Sequence, residues 1–279
     1  MDAEAFKFID SILDRRIIVA FDLFGTLLST DSISTKLAEY YGDKANSIST
    51  AWRKYQLEYT WRLNSMGSFE PFDTVTKKSL LHALSESKIT HNPEEIAQII
   101  ASYGHLSPFS DVKPALETLT SIKRLHPIIF TNGTTEMARS ALETYVDLKT
   151  YFTAVAKKDI YLAADEIEKY KPHPMIYQYL AAKVGKSIAV GQAHGGIDEV
   201  VLVSANPFDI VGAQAVGITG VWVDRSGGGW QDSLVEEGPK FTVAGLEELV
   251  GVLEGILEGK GKVWAEADKG NKSSSHDEF

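Results

Sequence analysis

At 279 residues, with 44% hydrophobic and 24% charged residues, the chain is long enough to bury a large core and has a globular rather than a disordered composition. A formal net charge of −10 argues against a nonspecific nucleic-acid surface, which depends on Lys and Arg, while leaving room for a small anion in a locally positive pocket. The lack of cysteine removes disulfides, thiolate nucleophiles and cysteine-based zinc sites. The charged N-terminus MDAEAFKFIDSILDRR has no apolar core segment, and no run is long enough to span a bilayer. We therefore expect a cytoplasmic protein without membrane or nucleic-acid partners.

Ile17–Phe21 is a run of apolar and β-branched residues that breaks at Asp22 into a turn holding Gly25 and Thr26, the pattern of a buried strand. Similar runs at 127–130, 200–203 and 220–223 predict further strands. Helical spacing appears between them at Ala115, Leu119 and Ile122, and again at Met137, Leu142 and Tyr145. Strands that alternate with helices predict a parallel, doubly wound sheet. Ligands of such sheets lie beyond the carboxyl ends of the strands, which puts Asp22, Thr131, Asn132, Ser204 and Asn206 on one rim.

From Ser32 to Pro108 the strand signal gives way to helical spacing, as in Trp52, Tyr55, Tyr59 and Leu63, and predicts an inserted all-α cap. Ser107-Pro108-Phe109-Ser110 returns the chain to the core. The expected architecture is α/β: a Rossmann-like core from residues 15–31 and 109–258, a helical cap over 32–108, and a disordered tail over 259–279. Gly191–Gly196 is predicted as a loop insertion and Ser226–Gly229 as a flexible loop.

Asp22, at the end of a buried strand, can project its carboxylate into the rim cleft as a nucleophile, or can simply accept the amides of its own turn. The wider pattern extends this. Phe21-Asp22-Leu23-Phe24-Gly25-Thr26-Leu27, Thr131-Asn132-Gly133, Tyr170-Lys171-Pro172 and Ser204-Ala205-Asn206-Pro207-Phe208-Asp209 resemble, in order and spacing, the four motifs of the haloacid dehalogenase superfamily. The resemblance runs from about residue 17 to 250 and implies the same capped Rossmann-like fold. Phosphatases of that superfamily carry a second Asp two positions after the nucleophile, which protonates the leaving group and helps to hold magnesium. Phe24 stands there and can do neither.

The cap stretch from Ala51 to Trp61, with Trp52-Arg53 near its start and Met66-Gly67 after it, resembles the first cap helix of the L-2-haloacid dehalogenases. That resemblance implies hydrolysis of small 2-haloalkanoic acids to 2-hydroxy acids with inversion, without metal or other cofactor, with the haloacid and the released halide as ligands. It implies Asp22 as the covalent nucleophile, Arg53 and Asn132 as the groups that receive halide, and Thr131 as a holder of the substrate carboxylate. Lys171 would keep Asp22 ionised, and Thr26 and Tyr177 would orient it and border the pocket. Ser204 and Asn206 would organise Lys171 and the hydrolytic water, which Asp209, the ionisable member of the group, would activate. Leu23, Phe24, Leu57, Phe72 and Phe208 would line an apolar pocket.

Two positions depart from the pattern: Lys54 stands where relatives commonly have Gln, and Phe208 where many have Trp. These bear on pocket size and preferred substrate. A homodimer is a further family-level expectation. The alternatives are a superfamily phosphatase acting on a small phosphoester, or a catalytically silent binding protein. His82, His91, His105, His126, His173 and His194 show no metal-ligand spacing, and no G-x-S-x-G element occurs.

Overall fold

The computed structural model describes residues 16–153, 161–188 and 195–259. Its elements in chain order are β1 (Ile17–Phe21), α1 (Asp31–Tyr41), α2 (Ala45–Met66), α3 (Phe72–Glu86), α4 (Pro93–Ser102), α5 (Val112–Ser121), β2 (Leu125–Thr131), α6 (Thr135–Thr144), α7 (Val146–Thr153), β3 (Tyr161–Ala163), α8 (Pro174–Lys183), β4 (Val200–Ser204), α9 (Pro207–Gln214), β5 (Thr219–Val223), β6 (Phe241–Val243) and α10 (Leu249–Leu257).

The strands form one sheet in the order β3-β2-β1-β4-β5-β6, and every pairing is parallel. β1 and β4 are buried along their whole length, as expected of central strands covered on both faces. Strand order reverses between β1 and β4, and a cleft opens beyond the carboxyl ends at such a reversal. Asp22 follows β1 and Ser204 ends β4, so both residues stand at that point. β3 and β6, which the sequence pattern did not predict, are three-residue edge strands.

The predicted cap is the group α1 to α4, inserted between β1 and α5. In it, α2 and α3 pack on each other, with Trp52 of α2 donating its indole N–H to the Thr76 carbonyl of α3 (2.8 Å). Helix α4 starts with a capping box, in which Asn92 and Glu95 satisfy each other's end groups and Pro93 takes the first turn. The chain enters and leaves the cap side by side. Ser29 N–H donates to the Ser107 carbonyl at 2.8 Å, Phe109 N–H donates to the Leu27 carbonyl at 3.1 Å, and Leu28 bridges Pro108.

Arg225, just after β5, secures this crossing. It forms a two-pronged ion pair with Asp111 at 2.8 and 3.0 Å, donates to the Thr26 carbonyl at 2.9 Å, and stacks 4.0 Å above the Phe109 ring.

No described helix is long and apolar enough to cross a membrane. The expected disorder of the tail concerns residues that, from 260 onward, lie outside the described ones, as does most of the predicted Gly191–Gly196 loop. The Ser226–Gly229 loop is corrected: it is pinned rather than slack. The Asp224 carboxylate accepts from the Ser226 hydroxyl (2.8 Å) and from the backbone N–H groups of Gly228 (3.3 Å) and Gly229 (2.7 Å).

These donors, the Ser226 hydroxyl foremost, hold the Asp224 carboxyl below its ordinary value of 3.8. A depressed folded-state value stabilises the fold above the unfolded value, and that stabilisation is lost as pH falls through the lowered one. Asp224→Asn should therefore lower stability at neutral pH and flatten the dependence of unfolding on pH below 3.8, as followed by denaturant titration across that range.

Candidate active site

β1 delivers Asp22 to the rim and continues its pairing for one residue more, since Asp22 N–H donates to the Val203 carbonyl at 3.0 Å. Gly25, at φ 84°, makes the turn that follows, a conformation that a side chain would strain. The turn brings Thr26 back onto the carboxylate. Its hydroxyl donates to Asp22 Oδ2 at 2.8 Å and accepts the Ala205 N–H at 2.9 Å. Asn206, past the end of β4, donates from Nδ2 to the same Oδ2 at 2.7 Å and to the Phe24 carbonyl at 3.3 Å.

Lys171 holds the other oxygen. Only 1% exposed, its ammonium has three protons and three partners: Asp22 Oδ1 at 3.1 Å, Asp209 Oδ2 at 2.8 Å and the Phe130 carbonyl at 2.7 Å. It also lies 4.1 Å above the Phe130 ring. Asp209 is fully buried, and its second oxygen accepts the Tyr177 hydroxyl at 2.8 Å. Burial pushes the Asp209 carboxyl up from its ordinary range, the Asp22 charge adds to this, and Lys171 opposes both. Burial also pushes the Tyr177 hydroxyl far up, so it serves as a donor throughout the working pH range.

The cap closes the other side. Arg53 of α2 donates from Nη2 to Asn206 Oδ1 at 3.0 Å and from Nη1 to Gln56 Oε1 at 2.8 Å. Asn206 thus links the cap cation directly to the carboxylate. Two further contacts bind cap to core near the site. Asn64 clasps the backbone of Tyr170 in both directions (2.7 and 3.0 Å), and Trp61 meets Phe208 edge-on, with ring centroids 5.6 Å apart. Phe24 stacks on Phe72 of α3 at 5.9 Å and tilts against Tyr103 at 5.6 Å.

The structure thus gathers Asp22, Thr26, Arg53, Lys171, Asn206 and Asp209 into one bonded cluster, and it corrects several of the expected roles. Ser204 does not reach Lys171: its hydroxyl accepts the N–H of Asn206 at 3.1 Å. Asn206 acts on Asp22 and Arg53 instead of on Lys171. Tyr177 is completely buried and spends its hydroxyl on Asp209, so it neither borders the pocket nor touches Asp22.

Thr131 accepts the Gly133 N–H at 3.0 Å, the turn-satisfying arrangement. Asn132 accepts the Lys171 backbone N–H at 2.8 Å through its carbonyl oxygen, which leaves its amide N–H groups as donors. Leu23, Phe24 and Phe72 are buried; Leu57 and Phe208 are half-buried. Lys54 is exposed against the Tyr55 ring, so that departure does not alter the site.

Gln56, Asn64, Trp61 and Tyr103 were missed. Of these, Gln56 carried a usable signal, because a residue three positions from Arg53 shares its helix face.

Together these features define a capped, Rossmann-like enzyme with an aspartate at the tip of its central strand. Residues 18–217 match the model of the haloacid dehalogenase-like hydrolases, and the chain belongs to that family. It is 30% identical to the (S)-2-haloacid dehalogenase of Xanthobacter autotrophicus over 82% of this chain and 81% of that protein. It is 28% identical to haloacetate dehalogenase H-2 of Moraxella sp. (strain B) over 83% of this chain and 95% of that one. The L-2-haloacid dehalogenase structure from Xanthobacter autotrophicus with chloropropionic acid covalently bound superposes with a TM-score of 0.73 at 25% identity, covering 86% of this chain and 99% of that one.

Tyr177→Phe removes the hydroxyl donor of a buried carboxylate. It should lower stability by about 1–3 kcal/mol at neutral pH, because one oxygen of Asp209 is left unsatisfied. The loss should shrink on acidification, once Asp209 takes up a proton and no longer needs the donor. Urea unfolding of both proteins at the two pH values measures this.

Proposed function

We propose that the protein hydrolyses small 2-haloalkanoic acids to 2-hydroxy acids through an ester on Asp22. The observation that carries this reading is the Arg53–Asn206–Asp22 chain, in which a cation from the cap is bonded to the group that holds the carboxylate. An anion formed beside Asp22 has a permanent positive charge waiting for it. The named activities of the relatives agree with this chemistry.

In the first step Asp22 Oδ1 attacks the halogen-bearing carbon from the side opposite the halogen. A carbon–oxygen bond forms, the carbon–halogen bond breaks, and the halide leaves with the electron pair towards Arg53 and the Asn132 amide. Oδ1 is the attacking oxygen because Oδ2 is already gripped by two donors, Thr26 and Asn206. In-line attack inverts the carbon centre. Phe24, Phe72 and Phe208 exclude water and leave the carboxylate less hydrated.

In the second step water adds to the ester carbonyl, and Oδ2 takes the negative charge between Thr26 and Asn206, an arrangement suited to an oxyanion. Asp209 accepts the proton of that water, its raised affinity for protons suiting it to the task. The acyl–oxygen bond then breaks, the departing alkoxide takes the proton from Asp209 and leaves as the 2-hydroxy acid, the second proton of the water passes to solvent, and Asp22 keeps a solvent oxygen. The Thr131 hydroxyl, whose proton is left free while its oxygen accepts the Gly133 N–H, would hold the substrate carboxylate.

The phosphatase branch of the family implies magnesium, and the residues here do not fit it. Phe24 stands where the second carboxylate would be, packed against Phe72 and Tyr103, and a phenyl ring can neither ligate a cation nor protonate a leaving group. The reaction we propose is metal-independent.

Halide release from the separate enantiomers of 2-chloropropionate, with chelator present, tests the reading. Release from the L enantiomer is expected; magnesium-dependent release of phosphate from small phosphoesters, without halide release, would overturn it. Asp22→Asn should abolish turnover. A single turnover in 18O-labelled water should label Asp22, and label confined to product would sink the ester.

A further inference from the structure

We infer that Gln56 is a positioning residue that holds the Arg53 guanidinium against Asn206, an inference that rests on the dehalogenase reading above. Gln56 is only 1% exposed, and every polar atom of its side chain has a partner. Oε1 accepts from Arg53 Nη1 at 2.8 Å and from the Tyr103 hydroxyl at 3.2 Å, and Nε2 donates to Thr76 Oγ1 at 2.8 Å.

The direction of the amide follows from Thr76. Its hydroxyl has a single proton, which goes to the Phe72 carbonyl at 2.6 Å. The hydroxyl therefore presents lone pairs to Gln56, and only the amide NH2 can meet them. The amide oxygen is left facing Arg53.

Arg53 needs such a hold. It is only partly buried and borders a cavity of about 30 Å³ that Thr30, Ile33 and Ser49 also line, so close packing alone does not fix the guanidinium. Gln56 on the cap and Asn206 in the core grip its two ends and keep it on the Asp22 side. The neutrality of Gln56 matters equally. A carboxylate there would also hold the guanidinium but would compensate the positive charge intended for the departing halide.

The test combines crystal structures with leaving-group kinetics for Gln56→Leu and Gln56→Glu. In Q56L, Arg53 should leave Asn206. Because chloride is the poorer leaving group, kcat/KM should fall about tenfold for 2-chloropropionate and about threefold or less for 2-iodopropionate.

In Q56E, Arg53 should stay in place while inhibition by added chloride weakens. Equal losses on both substrates, with Arg53 still bonded to Asn206 in Q56L, would mark a merely structural role and overturn the inference. If Q56L does not fold, Gln56→Met, which keeps the length of the side chain and removes the acceptor for Arg53, is expected to give the same selective loss for the chloro substrate. A wild-type enzyme that releases no halide would refute the dehalogenase reading, and the position of Arg53 in the variant crystals would still decide the role of Gln56.

Discussion

A buried ammonium has to be matched by charge and hydrogen bonds on every proton, and most of the site can be understood as the matching of Lys171. Taking such a group out of water is costed in several kcal/mol, which only paired charges in good geometry offset. Two carboxylates and the Phe130 carbonyl meet it. Two carboxylates on one ammonium leave an excess negative charge, and the remaining donors are arranged around that excess. Thr26 and Asn206 serve Asp22, and Tyr177 serves Asp209. Removal of any one leaves a buried charge short of a partner, so these side chains form a unit rather than a set of independent contributions.

The sheet makes this unit feasible. Asp22 comes from the tip of β1 and Phe130 from β2, while Asn206 follows β4 and Asp209 lies in the first turn of α9. The adjacent tips of three parallel strands bring backbone and side chains within reach of one lysine without a long loop. Parallel pairing is also what makes those strands apolar throughout, so the polar residues are confined to their ends.

That confinement is the reason the sequence was informative about the core. The four central runs appear in the structure as β1, β2, β4 and β5, and the rim residues lie where strand polarity placed them. β3 and β6 escaped because three residues at a sheet edge show neither a run nor an alternation. Within the site, the residue types were legible and several of their partners were not. Tyr177 and Asp209 are 32 positions apart, and nothing local says that the hydroxyl serves that carboxylate rather than a pocket. Ser204 turned instead to a local partner, the amide two residues on, as serine commonly does at a strand end. Gln56 was hidden by its neighbour Arg53, whose charge drew the functional reading of that helix.

The cap supplies what the core cannot hold alone. A permanent cation built into the strand tips beside Lys171 would add a second buried positive charge and compete with it for the same carboxylates. Placed on α2, Arg53 reaches the cluster through the neutral amide of Asn206, which separates the two cations and relays the influence of one to the other. An amide that accepts from a guanidinium is polarised and donates more strongly in turn, so Arg53 also tightens the grip on Asp22 Oδ2. The contacts that seat the cap, Asn64 on Tyr170 and Trp61 on Phe208, lie next to Lys171 and Asp209 in the chain. Seating the cap and completing the charge pattern around Asp22 are therefore one structural event, and a change that loosens either should be felt in both.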